Sequence, residues 1–233
     1  MATIVHVNAV GLMSGVESAT DASLRGRPFI VASGGRSRAV VLDVSPEAYR
    51  EGLSPGMPLA LALARVPDST VIPPHPDMYR EADMALRNIA LSFTPLVERA
   101  GSGHLFIDLA GTSRMLGAPA DAMQKLRRTI IDTTGLRPAL ALSSHRTASK
   151  VATRVFRPGG FAVLSSRDET VILRQQPVGL LPGVGPVLDS RLIMLGIDDI
   201  GRLADLDHQE ALAVGQDRKS TRMNSSHESP SRM

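Results

Sequence analysis

The 233-residue chain has no cysteine and no tryptophan, and its aromatic share is 3%, five phenylalanines and two tyrosines. Without cysteine there is no disulfide framework, no thiolate metal site and no cysteine nucleophile, and a reducing, cytoplasmic setting is expected. So few aromatic rings argue against a surface that holds single strands by stacking their bases. No run of about 18 apolar residues occurs, so neither a transmembrane helix nor a membrane partner is expected. The N-terminus also lacks the charged-then-apolar pattern of a signal peptide. Charge of one sign is not in excess: 26 Lys+Arg against 23 Asp+Glu give +3, with 43% hydrophobic residues. A disordered chain would show the reverse balance. The length suffices for one large domain or two small ones with real cores.

The small positive balance has an uneven source. From Asp217 the chain reads Asp217, Arg218, Lys219, Ser220, Thr221, Arg222, Met223, Asn224, Ser225, Ser226, His227, with neither apolar period nor turn chemistry. This segment resembles one reading frame of a common sequencing-adapter oligonucleotide, with one residue changed at Met223. Ser231-Arg232-Met233 resembles its continuation after a short index. Residues 217–233 are therefore expected to be a non-native tail, and the native chain to run on past Gln216. They hold four Lys/Arg and two Asp/Glu, which leaves 22 basic against 21 acidic side chains, a net of +1. The basic tail thus carries no argument for nucleic-acid binding.

Thr3 to Val7 is a β-prone run, and Gly15 to Leu24 predicts a helix ending before Gly26-Arg27-Pro28. Phe29 to Ala32 and Ala39 to Val44 read as strands around a Gly34-Gly35 turn, with Gly34-Gly35-Arg36-Ser37-Arg38 a basic hairpin tip. Ser45-Pro46-Glu47 starts a helix with proline in its first turn. Leu59 to Arg65 is a short apolar helix, and Val71-Ile72 is extended and stops at Pro73-Pro74. Asp77 to Phe93 is the clearest helix, with Met84, Ile89 and Leu91 among its apolar positions. His104 to Leu109 alternates: Leu105, Ile107 and Leu109 face one way, His104, Phe106 and Asp108 the other, as in a half-buried strand. Ala118 to Thr134 is a second amphipathic helix, with Met123, Leu126, Ile130 and Ile131. Ala139 to Leu142 reads as a strand, and Arg146 to Val155 as a helix ending before Arg157-Pro158-Gly159-Gly160. Strands separated by long helices imply an α/β or α+β layer.

A smaller unit follows. Leu180-Leu181-Pro182-Gly183-Val184-Gly185-Pro186 leads into a helix carrying Val187, Leu188, Leu192 and Leu195, with Gly196 as its cap, and Ile197 to Leu206 carries a second short helix. Two short helices around a Pro-Gly-x-Gly turn read as a helix-hairpin-helix. Small residues there let backbone N–H groups at a helix start point outward and hold a phosphate oxygen. Such a grip reads the backbone of DNA, not its sequence. The plainer alternative is an ordinary helical hairpin. A dinucleotide fingerprint is rejected, because no strand precedes Gly183 and the third glycine is missing.

Taken together, several ordered segments resemble the Y-family (translesion) DNA polymerases. These are His6-Val7-Asn8-Ala9-Val10 with Ser14-Gly15-Val16-Glu17; Leu24-Arg25-Gly26-Arg27-Pro28; Gly52-Leu53-Ser54-Pro55-Gly56-Met57-Pro58-Leu59; Tyr79-Arg80; and Thr94-Pro95-Leu96-Val97-Glu98. Phe106-Ile107-Asp108-Leu109-Ala110-Gly111-Thr112, Lys150-Val151-Ala152-Thr153, Arg157-Pro158-Gly159-Gly160 and Leu181-Pro182-Gly183-Val184-Gly185-Pro186 continue the set. The resemblance implies an α+β fold: a palm (a ferredoxin-like sheet with helices) over 1–24 and 73–165, small fingers over 25–72, and a helical thumb with the helix-hairpin-helix over 166–214. The family's C-terminal DNA-gripping domain would lie beyond this chain.

The chemistry departs from the family. Nucleotidyl transfer by paired Mg²⁺ ions needs hard anionic oxygens. The family's first carboxylate position falls on Asn8, its backbone-ligand position on Val10, and its Asp-Glu pair on Gly103 and His104. Its fingers Tyr and Arg fall on Pro46 and Tyr49, and its aromatic sugar gate on Met13. Only Arg157 keeps a positive charge where the family turns a Lys toward the triphosphate. A single-metal site from Asn8, His104 and Asp108 is conceivable; the plainer reading has His104 filling space a carboxylate vacated. Ser102-Gly103-His104 lacks a nucleophile elbow. His145, Arg146 and Lys150 form either a solvated face or a phosphate contact.

The expectation is thus a polymerase-like accessory protein of DNA repair and translesion synthesis within the SOS response, akin to the polymerase-like subunits of bacterial mutagenesis cassettes. It is expected to be non-catalytic, to lack cofactors, and to be cytoplasmic and nucleoid-associated. Its expected partners are damaged or primer-template DNA, gripped weakly through Pro182, Gly183, Val184, Gly185 and Lys150, and other replication and repair proteins. The rivals are an active polymerase using Mg²⁺ at an unusual site and a protein-only scaffold.

Overall fold

The computed structural model describes residues 2–33, 39–157 and 159–212. The hairpin tip Gly34–Arg38, Pro158 and the segment 217–233 lie outside the described residues. The chain divides into two units, one through Arg167 and one from Asp168.

The first unit opens with β1 (Ile4–Asn8), whose residues alternate between two covered faces, and α1 (Leu12–Thr20). The helix starts three residues before the expected Gly15 and stops at Thr20. Gly11 supplies a left-handed turn (φ 64°) at its start, and Asp21 ends it by accepting the Ser23 N–H, so only a 3₁₀ turn covers Ala22–Leu24. β2 (Phe29–Ala32) is flanked by β3 (Val41–Val44), antiparallel, and β4 (Thr70–Ile72), parallel, in a three-stranded sheet. β3 is shorter than the expected Ala39–Val44, because Val40 makes only an isolated bridge to Pro58. Between β3 and β4 lie α2 (Pro46–Arg50), capped by the Ser45 hydroxyl, and α3 (Leu59–Arg65).

The larger sheet has five strands in the order β5-β6-β1-β7-β8. After α4 (Pro76–Phe93), β5 (Val97–Gly101) and β6 (His104–Asp108) form a hairpin. A short α5 (Ser113–Leu116) and the long α6 (Pro119–Thr134) follow, then β7 (Ala139–Ser143), α7 (Arg146–Val155) and β8 (Phe161–Val163). Proline stands in the first turn of α2, α4 and α6, where its missing N–H costs nothing.

One face of this sheet, with Val5, Val7, Leu105, Ile107, Leu140 and Leu142, packs on Leu86 and Ala90 of α4 and on Met123, Leu126 and Ile130 of α6. The inward stripe of α4 is not the expected one. Tyr79, Asp83, Leu86 and Ala90 are buried, whereas Met84 and Leu91 are exposed. The stripe keeps helical spacing, but half of it is polar, so hydrophobicity alone picks the wrong side. In α6 the buried set is Ala122, Met123, Leu126 and Ile130, without Ile131. β6 is more enclosed than a half-buried strand, since Phe106 on its second face is also buried.

The second unit holds α8 (Ser166–Arg174), which begins at the boundary, and α9 (Pro186–Met194) and α10 (Ile200–Ala204), which pack around Val178, Leu192 and Ile197. Gly196 (φ 76°) turns the chain after α9, and the Ile197 N–H returns to the Leu192 carbonyl. Val187 and Leu195, expected on the apolar side, are exposed. No described helix is long and apolar enough to cross a membrane.

Candidate active-site corner and exposed glycine turn

Asn8 on β1 lies directly opposite His104 on β6, and the ladder continues through the Ala9 N–H to the Gly103 carbonyl at 2.8 Å. The three residues expected at the family's carboxylate positions therefore do come together, at one end of the central strand pair. Gly103 is buried in the left-handed region (φ 72°), and a Cβ there would stand 3.0 Å from the Ala9 carbonyl oxygen and 3.3 Å from its Cβ. The backbone here is shaped around a residue without a side chain. Val10 is exposed, and Met13 packs half-buried on the core.

By strand alternation Asn8, His6, His104 and Phe106 share the sheet face that α7 crosses. His6 is fully buried, with its ring stacked 5.5 Å from His104 and tilted 4.7 Å from Phe106. The Thr153 hydroxyl donates to the Lys150 carbonyl, so its oxygen accepts from His6 Nδ1–H at 2.6 Å. That assignment puts the proton on Nδ1 and leaves Nε2 a bare lone pair, buried and without a partner. His104 Nδ1 is likewise buried and unpartnered. Burial pushes the His6 pKa down to about 3, helped by His104, Lys150 and Arg154. Burial also lowers His104, followed by Lys150, Arg154 and Arg157. Both rings are neutral at ordinary pH.

One carboxylate that sequence reasoning overlooked stands nearby. Asp83 of α4 accepts the Gly103 N–H and Arg99 Nε, both at 2.7 Å. Its charge is committed to a salt bridge and to holding the β5–β6 turn. Asp108 does not join the corner. It pairs with Ile4 at the other end of the strand, roughly 13 Å along at about 3.3 Å per residue, and its Oδ1 accepts the Ala110 N–H. The single-metal site of Asn8, His104 and Asp108 is therefore not assembled, and no group of three metal-binding side chains occurs among the described residues. The donors present do not fit a magnesium pair: one amide, one imidazole and one glycine offer no anionic oxygen, and the nearby Asp83 is engaged by Arg99.

Pro46 opens α2 and is exposed, and Tyr49 is 63% exposed, so neither forms a polar clamp. Arg157 is exposed and Lys150 half-buried, with its Nζ 5.9 Å from the Phe106 ring centre. Arg146 lies 4.4 Å over the same ring and holds Glu98 through both guanidinium nitrogens. Asp43 on β3 was also missed. It is buried and reaches the start of α1, accepting the Ser14 N–H at 2.9 Å beside its own neighbour Val44 at 2.9 Å. Burial raises its pKa against the pull of these bonds and of the Met13 and Ser14 groups. A buried carboxylate answering a helix start in another sheet leaves no periodic trace in sequence. The sequence signal was the uncapped Gly11 start.

In the second unit Pro182, Gly183, Gly185 and Pro186 are exposed and Val184 is half-buried among the apolar residues. Gly183 has φ 94°, and Gly185 precedes α9 with no side-chain cap. A Cβ on either glycine would meet nothing within 4 Å, so the turn is open toward solvent. The one acidic side chain in the first turn of α9, Asp189, is directed at Gly179.

Residues 13–154 match the model of the impB/mucB/samB family. The chain is 31% identical over 202 residues to a DNA polymerase IV of Halorhodospira halophila, covering 87% of this chain and 57% of that protein. It is 34% identical over 203 residues to DNA polymerase IV 2 of Mesorhizobium japonicum, covering 87% and 48%. It spans about half the length of the curated relatives it matches. Among solved structures, DinB from Sulfolobus solfataricus superposes with a TM-score of 0.85 at 18% identity, over 99% of this chain and 69% of that one. An insertion ternary complex of Dbh DNA polymerase gives 0.83 at 19%, with the same coverage. The mixed sheets with their helices are the palm fold expected from the resemblance. With more than half its length matched, the chain belongs to the impB/mucB/samB family, the Y-family DNA polymerases.

Proposed function

We propose that this chain is a non-catalytic Y-family polymerase-like protein, an accessory factor in DNA repair and translesion synthesis. The observation that carries the reading is the corner of Asn8, Gly103 and His104. It holds no anionic oxygen of its own, and the Asp83 carboxylate beside Gly103 is spent on Arg99 and the Gly103 amide. Primer extension by the chain with Mg²⁺ or Mn²⁺ tests it: no extension is expected, and extension above a no-protein control overturns the reading.

Its DNA contact is assigned to the Pro182–Pro186 turn of the second unit, and Lys150 of the first unit is assigned a separate phosphate contact. A glycine turn open to solvent lets a phosphate approach the start of α9, where helix N-termini favour anions. The fold it shares with polymerase IV relatives and with a polymerase solved as a ternary complex supports DNA as the partner. Retention of a duplex oligonucleotide on filters should fall steeply between 50 and 200 mM salt, as phosphate contacts release counterions (slopes of about −0.9 per contact). It should drop further when Gly183 and Gly185 are both changed to alanine. Retention indifferent to salt and to that double change would leave the protein-only scaffold.

A further inference from the structure

We propose that the outer side of β5, with the groove beside it, is a docking edge for an extended segment of a partner protein that carries an apolar side chain next to a lysine or arginine. The proposal rests neither on the non-catalytic reading of the corner nor on the DNA grip of the second unit.

β5 is the outermost strand of the five-stranded sheet, and among the described residues no strand pairs with its free side. The Leu96 carbonyl accepts the Asp108 N–H, and Val97 stands opposite Ile107. Antiparallel alternation then gives Glu98 the exchanged pair with Phe106 and turns the Val97 carbonyl and the Arg99 N–H outward. Such an edge accepts a further strand. The sheet face beside it is also open. α7 packs on β1, β7 and β8, and toward β5 lies a groove of about 470 Å³. Leu96, Glu98, Phe106, Asp108 and Ile4 share this face by alternation and register, with Arg146 of α7 as the wall. Leu96, at the edge, is 56% exposed.

The lining selects the occupant. Leu96, Phe106 and Ile4 call for an apolar side chain. Glu98 and Arg146 neutralise each other through both guanidinium nitrogens. Asp108 is the charge left over: its Oδ1 accepts the Ala110 N–H, and no cation among the described residues pairs with it. A basic side chain on the incoming strand complements it. A second copy fits the edge poorly. Two-fold pairing of antiparallel edges turns about one residue of the strand. An axis at Glu98 sets it against Glu98 of the copy, and an axis at Arg99 sets two guanidinium groups together, both unfavourable. An axis at Val97 brings Pro95, which has no N–H, into the ladder. The chemistry thus favours a different chain, with a basic and apolar strand.

Fluorescence anisotropy of fluorescein-labelled nonapeptides titrated with the full chain tests the edge. The probe has threonine at every second position, leucine at the centre and lysine two residues on; its twin has glutamate in place of the lysine. Saturable binding of the lysine probe is expected, roughly tenfold tighter than that of the twin, since like charges brought together oppose association. Leu96→Asp should weaken the lysine probe by about tenfold or more. Asp108→Asn, which keeps an acceptor for the Ala110 N–H, should erase the preference for lysine. Methylating alternate backbone nitrogens of the probe removes its strand donors and should abolish binding. Circular dichroism melts confirm that the variants fold. No saturable binding, equal affinity for the two probes, full affinity of the methylated probe, or indifference to both substitutions overturns the proposal. A dimer in sedimentation equilibrium that Leu96→Asp dissolves also overturns it, by assigning the edge to a second copy. Neither DNA nor Mg²⁺ is present, so the outcomes of primer extension and of DNA retention leave this result standing or falling by itself.

Discussion

Replacing His6 with phenylalanine should flatten the acid limb of the stability profile. In the folded chain the ring takes a proton only near pH 3, whereas in the unfolded chain it does so from about 6.5. Between those values the unfolded state binds more protons, so stability rises with pH. The neutral ring's contribution is complete above about 6.5 and is lost as pH falls toward 3. At 1.36 kcal/mol for each tenfold, the whole interval is worth about 5 kcal/mol, comparable to the 5–15 kcal/mol that holds a typical domain together. His104 shifts in the same direction and steepens the limb, while Asp43, raised by burial, opposes it. Phenylalanine keeps the stack between His104 and Phe106 but loses the Thr153 hydrogen bond, at about 1 kcal/mol, and removes an unpartnered nitrogen whose burial costs about 1–3 kcal/mol. At pH 8 the two proteins should therefore differ by no more than about 2 kcal/mol, and at pH 5 the variant should have gained about 2 kcal/mol relative to the wild type. Urea unfolding followed by far-ultraviolet circular dichroism suits a chain without tryptophan. Parallel pH profiles for the two proteins would refute the assignment of a neutral, buried His6.

Gly103→Asp, the simplest attempt to rebuild the metal site, should instead lower the melting temperature by roughly 2–8 °C. A side chain in the left-handed region costs about 1–2 kcal/mol, and a chain of this size loses about 2–4 °C per kcal/mol. Scanning fluorimetry with added dye reads this, and an unchanged melt with new Mg²⁺-dependent extension would contradict it. Asp43→Ala should cost about 1–2 kcal/mol by uncapping α1 and should speed hydrogen exchange at the Ser14 amide; exchange as slow as in the wild type would show that the carboxylate is not the cap.

Local chemistry made most elements legible. Proline in the first turn, the Ser45 cap and the glycine stops are contacts within a few residues, and α3 and α7 have the expected bounds. The bunching of Asn8, Gly103 and His104 was legible through the resemblance, because an antiparallel pair in register brings aligned motif positions together. What could not be read was polar and long-range. The inward face of α4 contains Tyr79 and Asp83, which bond to Glu17 and to Arg99 with Gly103, so a count of apolar positions points away from it. β5 carries Glu98 and Arg99 with little alternation, and β8 is only three residues long; both were missed because an edge strand needs just one partner and little burial. His6 looked like part of a strand motif, and nothing local announces that Thr153, 147 residues away, fixes its tautomer.

The altered corner is therefore more than a set of missing carboxylates. Gly103 has let the β5–β6 turn close onto Ala9, and Asp83 has become the acceptor for the amide so placed. Two imidazoles stay uncharged beside it, their pKa values lowered by burial first and by neighbouring cations after. Each change makes reversal of the others harder. A carboxylate restored at position 8 would stand beside Gly103 and His104, which add no second anionic oxygen, and one carboxylate does not offset the repulsion of two dications. Restoring the charge by one substitution should thus leave a lone carboxylate, short of the anionic set that paired Mg²⁺ needs. The corner's departure from an acidic metal site lies in backbone shape as well as side-chain identity.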